Sequence, residues 1–357
     1  STSFAQPSPS TDLLNDIVSA SSTTVVIKNR DPDNTSVYDG TVTVWNADPL
    51  DLFVIDPDLG LPVDGTIATV EHYSNTSLTT LLAQVTGLSV PVDNAVVALV
   101  SLENVDRYYE ILLADDDTIT SADGDGSDLA GHDGNDTITG TVEDDVLDGG
   151  LGNDTLNGGA GNDELRSGGM DLVQGVTDVL IGGTGDDLLI AEGGPWTTLN
   201  GGQGNDTLIV TNEFGDPNWD WARAEYTDSP AGIIANLTSG TPTTGGVTPG
   251  SVPGPMQIAD GFGTIDTIGV IDSGTGDHSL GVHALLDTDH DDFIYVDGSY
   301  TNSYGYFIEV RLSGGDDFVD LTGMGGTGSA RVSWQNAAVG VNASLDTGTA
   351  TDNNLSN

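Results

Sequence analysis

An all-β chain organised around a solenoid is predicted by three features of the sequence. Nine-residue units rich in Gly and Asp recur inside residues 116–210, short β-branched runs precede them, and weaker copies of the same frame follow. GGLGNDTLN (149–157) joins GGAGNDELR (158–166) without a gap, with glycine in the first, second and fourth places, Asp154 and Asp163 in the sixth, and Leu156 and Leu165 in the eighth. GHDGNDTIT (131–139) and GTVEDDVLD (140–148) keep the frame upstream with Asp136 and Asp145. GGTGDDLLI (182–190) and GGQGNDTLI (201–209) resume it downstream with Asp187 and Asp206. Each unit reads as a glycine turn followed by a very short strand, and two units close one coil of a parallel β-helix.

The turn has the composition of a cation site. Glycines such as Gly149, Gly150 and Gly152 let the chain bend sharply and aim backbone carbonyls at one point. Calcium takes six to eight oxygen ligands, and Asp is the short side chain that closes such a cage from a turn. The expected ligands are therefore the carboxylates of Asp136, Asp145, Asp154, Asp163, Asp187 and Asp206. They are joined by the turn residues Gly149, Leu151, Gly158, Ala160, Gly182, Thr184, Gly201 and Gln203, and by Asp317 in a degenerate copy. With two units per coil, Asp136 should stack on Asp154 along one edge and Asp145 on Asp163 along the other, with a calcium between the members of each pair. The competing reading of an Asp- and Gly-rich stretch is a solvated linker. A linker has no reason to repeat Ile138, Leu147, Leu156 and Leu165 at a fixed interval.

These nonapeptides resemble the repeats-in-toxin (RTX) family, whose β-roll domains carry them. The resemblance implies several calcium ions and a protein secreted by a type I system and folded by external calcium, placed outside the cell or on its surface. It does not imply a toxin, because proteases, lipases, adhesins and surface-layer proteins share the roll and differ elsewhere.

Charge fits that placement. The chain has 56 acidic residues against 7 basic ones and a formal charge of -49, so self-repulsion opposes compaction unless cations bind. No basic patch suits nucleic acid, no basic amphipathic helix suits a membrane surface, and no apolar run is long enough to insert in a bilayer. The absence of cysteine excludes disulfides and thiolate metal sites. STSFAQPSPS lacks the basic start and apolar core of a signal peptide, and DTGTATDNNLSN reads as a stop inside a repeat, so a fragment of a longer protein is expected.

In chain order, residues 1–22 read as an extended arm rich in Ser, Thr and Pro. Residues 23–91 carry strand-like runs such as TTVVIKN, SVYDGTVTVW and GTIATVEHY, and form a β-sandwich-like antiparallel module. Asp-Pro pairs at 31, 48 and 56 read as turn initiators rather than cleavage sites. Residues 92–115, with Asp93 as N-cap and Val96, Val97, Val100, Tyr108, Ile111 and Leu112 at roughly helical spacing, predict a short helical cap on the solenoid. The roll then spans 116–210, and SGGMDLVQGVTDVL (167–180) breaks the frame and should bulge or lose a calcium. Residues 211–330 form a β-rich module of degenerate repeats. Its Phe214, Trp219, Trp221 and Tyr226 either cover the end of the roll or stack on surface glycans. RAEYTDSPAGIIANLTSGT (223–241) aligns without gaps on RVSWQNAAVGVNASLDTGT (331–349), so residues 331–357 open a second copy of a 108-residue unit. HDDFIYVDG (290–298) and GGDDFVDLTG (314–323) repeat the sixth and eighth places of the nonapeptide with fewer glycines.

Neither HExxH nor GxSxG occurs. His278, His283 and His290 lie near Asp277, Asp287 and Asp289 as a conceivable second metal site, without strict ligand spacing. The function expected is a non-enzymatic, calcium-dependent structural module of a secreted or cell-surface protein, such as a surface layer, fibre or adhesin, self-associating as a homo-oligomer or polymer. The alternatives are the calcium-binding part of an exoenzyme and a carbohydrate-binding module.

Overall fold

Two long sheets face each other across a narrow apolar seam. The computed structural model describes residues 17–20, 23–31, 34–47, 54–55, 62–64, 66–73, 81–91, 113–121, 126–168, 177–192, 196–211, 222–237, 257–268, 282–297, 307–315, 317–323, 329–334 and 342–344. All regular structure among these residues is strand. The expected helical cap at 92–115 lies outside the described residues except for its last three, Leu113 to Asp115, which form a turn and a bend. The expected extended arm, the aromatic cluster Phe214, Trp219 and Trp221, and His278 also lie outside them. Among the described residues no helix is long and apolar enough to cross a membrane.

The strands before the roll are β1 (Ile17–Ala20), β2 (Thr24–Asp31), β3 (Asn34–Ala47), β4 (Val54–Ile55), β5 (Pro62–Asp64), β6 (Thr66–Tyr73) and β7 (Leu81–Pro91). β1, β2, β3, β6 and β7 pair antiparallel in that order, β4 and β5 pair with each other, and β7 runs antiparallel to the first strand of the roll. Instead of a sandwich set apart from the roll, these strands extend one of its sheets.

The repeats supply β8 (Thr118–Ser121), β9 (Asp128–Ala130), β10 (Thr137–Thr139), β11 (Val146–Asp148), β12 (Thr155–Ala160), β13 (Glu164–Arg166), β14 (Asp178–Thr184), β15 (Leu188–Glu192), β16 (Thr197–Gln203) and β17 (Thr207–Thr211). Even-numbered strands fall on one sheet and odd-numbered strands on the other, all parallel to their neighbours. Each strand is too short to hold a face by itself. Most strands turn one apolar side chain inward, β15 and β17 adding Ala191 and Val210, and Ile119, Ile138, Leu156, Leu180 and Leu199 stack in register on one sheet. Leu129, Leu147, Leu165, Leu189 and Leu208 stack on the other. Leu147, Leu156, Leu165, Leu180, Leu189 and Leu199 are wholly buried, so the eighth place of each unit is the core.

The solenoid does not stop at residue 210. It continues through β18 (Ala222–Glu225), β19 (Ile234–Leu237), β20 (Gln257–Ala259), β21 (Ile265–Ile268), β22 (Ala284–Leu286), β23 (Phe293–Asp297), β24 (Phe307–Leu312), β25 (Phe318–Gly323), β26 (Ser329–Trp334) and β27 (Asn342–Ser344). β18, β22, β24 and β26 extend the even sheet to 14 strands, and the rest belong to the 11-stranded sheet opposite. The one antiparallel interruption is β19–β20–β21, after which β23, β25 and β27 stack parallel on β19. The two copies of the 108-residue unit take equivalent places. Ala224 and Val332 both lie in the inner column of the even sheet, and the backbones of Ala235 and Ala343 share one register position of the other.

Candidate metal centre

The turns between strands carry two ladders of aspartates, one along each long edge of the roll. On the first edge Asp117 N–H donates to Asp136 Oδ1 at 2.8 Å, Asp136 N–H to Asp154 Oδ1 at 2.8 Å, and Asp154 N–H to Asp178 Oδ1 at 3.1 Å. On the second edge Ser127 donates to Asp145, Asp145 to Asp163, Asp163 to Asp187, Asp187 to Asp206 and Asp206 to Asp266, at 2.5 to 3.0 Å. A third run continues past the antiparallel interruption, where Ile233 N–H donates to Asp292 Oδ1 and Asp292 N–H to Asp317 Oδ1. The stacking of Asp136 on Asp154 and of Asp145 on Asp163 expected from the spacing is thus the geometry of the roll.

Each ladder bond occupies one carboxylate oxygen. The second oxygens of Asp136, Asp163 and Asp187 are buried and have no hydrogen-bond partner, a costly arrangement for an anion. They point into a cradle shaped by the first-place glycines. A Cβ on Gly149 would lie 2.6 Å from Asp154 Oδ2 and 2.7 Å from Ser167 O. A Cβ on Gly158 would collide with Asp163 Oδ2 and lie 2.8 Å from Gly182 O, and one on Gly182 would collide with Asp187 Oδ2 and lie 2.6 Å from Gly201 O. A carboxylate oxygen of one coil and a first-place carbonyl of the next therefore converge, with no room for a side chain between them. Ala160, Thr184 and Gln203 in the third place stack in register, and the carbonyls of Leu151, Thr184 and Gln203 accept from the fourth-place amides of Gly134, Gly161 and Gly185. Left-handed backbone is needed at the second place, where Gly150 has φ 97°, and His132 is held at φ 74° in the same place of its own unit.

Burial without a counter-charge shows in the carboxylates' proton affinity. It pushes Asp136 and Asp163 up to about 6 and Asp187 up to about 7. At Asp117 burial, followed by the facing Asp136 carboxylate, raises the value to about 7. Hard oxygen donors, buried anionic atoms without donors and glycine cradles fit calcium. Bound there, calcium would supply the positive charge that these carboxylates otherwise lack.

Not every rung is alike. Asp145 Oδ2 accepts from Thr141 N–H and Thr141 Oγ1 at 2.5 and 3.0 Å, because Thr141 stands where other units have the second glycine. Asp266 Oδ2 accepts from the buried Tyr226 hydroxyl at 2.8 Å, which closes the second ladder with a proton donor. On the first edge the aspartates give way beyond Asp178 to Thr197, Ala222 and His283. Burial lowers His283 to about 4, and its Nδ1 accepts from Ala222 N–H at 3.3 Å, the place an aspartate oxygen takes elsewhere. His283 is therefore a neutral acceptor on the edge and is not one of the three residues of the buried carboxylate cluster Asp287, Asp292 and Asp317.

Asp117, Asp178 and Asp266 were absent from the predicted ligands. Asp178 ends the run 167–180, whose broken frame predicts a bulge or a lost site; residues 169–176 lie outside the described residues, and Asp178 makes the next rung with Leu180 stacked on Leu156. The signal that finds all three is Asp-x-aliphatic, as in Asp117 to Ile119, Asp178 to Leu180 and Asp266 to Ile268, without the full Gly-Gly-x-Gly set before it.

No curated protein matches the chain. The RTX calcium-binding nonapeptide repeat matches it in four copies, over residues 131–165, 175–194 and 198–209. These residues carry the rungs from Asp136 to Asp206 and their glycine cradles, so the stretch 131–209 carries RTX calcium-binding nonapeptide repeats, and the roll it forms is a calcium-binding structural module.

Proposed function

We propose that this chain is a non-catalytic, calcium-folded structural module of a protein that works outside the cell or on its surface, in a surface layer, fibre or adhesin. The observation that carries this reading is the continuity of the stack. Strands from Thr118 to Ser344, parallel except at β19–β20–β21, share two sheets, and the recurring elements along them are structural columns and acidic ladders. Extracellular calcium suits sites that would stay open at the low calcium level of a cell interior. Parallel stacks also end in strand edges that accept a further strand, and head-to-tail contact between copies generates filaments or sheets when the rotation does not close. Light scattering and negative-stain microscopy of the chain in calcium and then in chelator test the assembly. Calcium-dependent particles larger than one chain are expected, and a monodisperse monomer at high concentration in calcium would leave a tandem adhesin module as the better form of the reading.

Glycan binding has one observation behind it. Phe293 is 43% exposed, with its ring 6.2 Å from Phe318, whose other neighbour Tyr295 lies at 6.3 Å, so three rings line the outer face of one sheet. Rings in such a row offer flat apolar surface with a polar tip at Tyr295. Retention on a glycan array that falls on Phe293→Ala would support this second reading, and no retention would remove it.

A further inference from the structure

The geometry points to a cation site outside the nonapeptide repeats, built by the carboxylates of Asp287, Asp292 and Asp317 and suited to calcium. Asp287 directly follows β22, Asp292 directly precedes β23, and Asp317 directly precedes β25, so one turn and its neighbour in the next coil supply all three. The three residues are buried, and one carboxylate oxygen from each lies within 4.8 Å of the others. Two oxygens bound at the usual calcium distance of about 2.4 Å lie at most about 4.8 Å apart, so this spread fits one coordination shell.

Asp287 makes the site different from the repeats. Its backbone N–H donates to Arg311 O, as the first-place Gly140 donates to Asn157 O and Gly149 to Arg166 O. It therefore occupies the first place of its turn, where the matched repeats need glycine because the next aspartate's carboxylate fills the corner. Here the corner receives a second carboxylate. Asp287 Oδ1 is held by Ser313 N–H and Ser313 Oγ, both at 2.8 Å, while Asp287 Oδ2 is buried with no donor. Its companions in the cluster are carboxylate oxygens of Asp292, which also accept from Thr288 and Ile233, and of Asp317; all are acceptors toward Asp287, so the donorless Asp287 Oδ2 is the atom that marks the site. Only a proton or a cation can sit between such groups, and three carboxylates share more charge than one proton neutralises. All donors are hard oxygens with no imidazole or thiolate, which selects calcium over zinc or copper.

Asp287→Asn separates the two possibilities, because Asn imitates the protonated acid. Native mass spectrometry of the whole chain in calcium should show one ion fewer in Asp287→Asn than in the wild type, while Asp163→Asn, in the repeats, loses a different ion and leaves this one. An unchanged ion count in a folded Asp287→Asn would overturn the site in favour of a shared proton. Should the variant fail to fold, wild-type crystals grown with terbium decide. Anomalous density among Asp287, Asp292 and Asp317 is expected, and its absence while the ladder of Asp136 to Asp187 is filled would overturn the site without touching the calcium reading of the repeats. Absence of density at both would overturn the two together.

Discussion

At Asp136, Asp163 and Asp187 one carboxylate oxygen holds the backbone of the neighbouring coil and the other faces a glycine cradle with no donor. Their proton affinities are raised by burial, to about 6 at Asp136 and Asp163 and about 7 at Asp187. A raised carboxyl favours the neutral form in the folded chain. Its contribution to stability is then complete below the unfolded value near 4 and is lost as pH rises through about 6 to 7. In chelator the chain should gain β signal on acidification from pH 8 to pH 5, and in calcium the midpoint of the folding titration should move to higher calcium over the same range. A midpoint independent of pH would show that these carboxylates do not bind the ion. Rungs also differ in what a neutral side chain costs. Asp163→Asn removes charge from an oxygen with no other partner, whereas Asp145 Oδ2 already accepts from Thr141. The calcium midpoint should rise about tenfold or more for Asp163→Asn, in line with roughly 1.5–3 kcal/mol for a charged contact, and by less for Asp145→Asn. Equal shifts would mean that the Thr141 bonds do not distinguish the two rungs.

The strand is the element that turns these residues into a column. Leu156 is wholly buried between Ile138 and Leu180 in the inner column. Leu156→Ala should cost about 2–5 kcal/mol, read as a lower melting temperature in saturating calcium, and Leu156→Asp should prevent folding of the roll. A melting temperature unchanged in Leu156→Ala would mean that the eighth-place column is not the core. The core and the ladder were legible together wherever glycines marked the turn, because Gly-x-Asp-x-Leu fixes both the bend and the inward residue. Past residue 210 the column passes to Ala224, Leu285, Val310 and Val332, with coil lengths that vary and few glycines at the turns. There a repeat of fixed length no longer reports the coil, and only the paired Asp-x-aliphatic at Asp266, Asp292 and Asp317 remains in the sequence. His283 was legible as a histidine near acids but not as a ladder acceptor, since that role depends on its register beneath Ala222.

Across the whole molecule the formal charge is -49, and the aspartates of successive coils stand in line along the edges. Charges of one sign a few ångströms apart in a partly desolvated turn repel strongly, so the stacked state depends on what neutralises them. On the proposed reading the inner columns set the coil and the cations permit it, so neither should suffice alone. Far-ultraviolet circular dichroism of the chain at pH 8, in excess chelator, then in calcium, then in sodium at equal ionic strength, tests this most directly. The β signal should be lost in chelator, return in calcium and stay absent in sodium; a spectrum in chelator identical to that in calcium would contradict a calcium-folded roll.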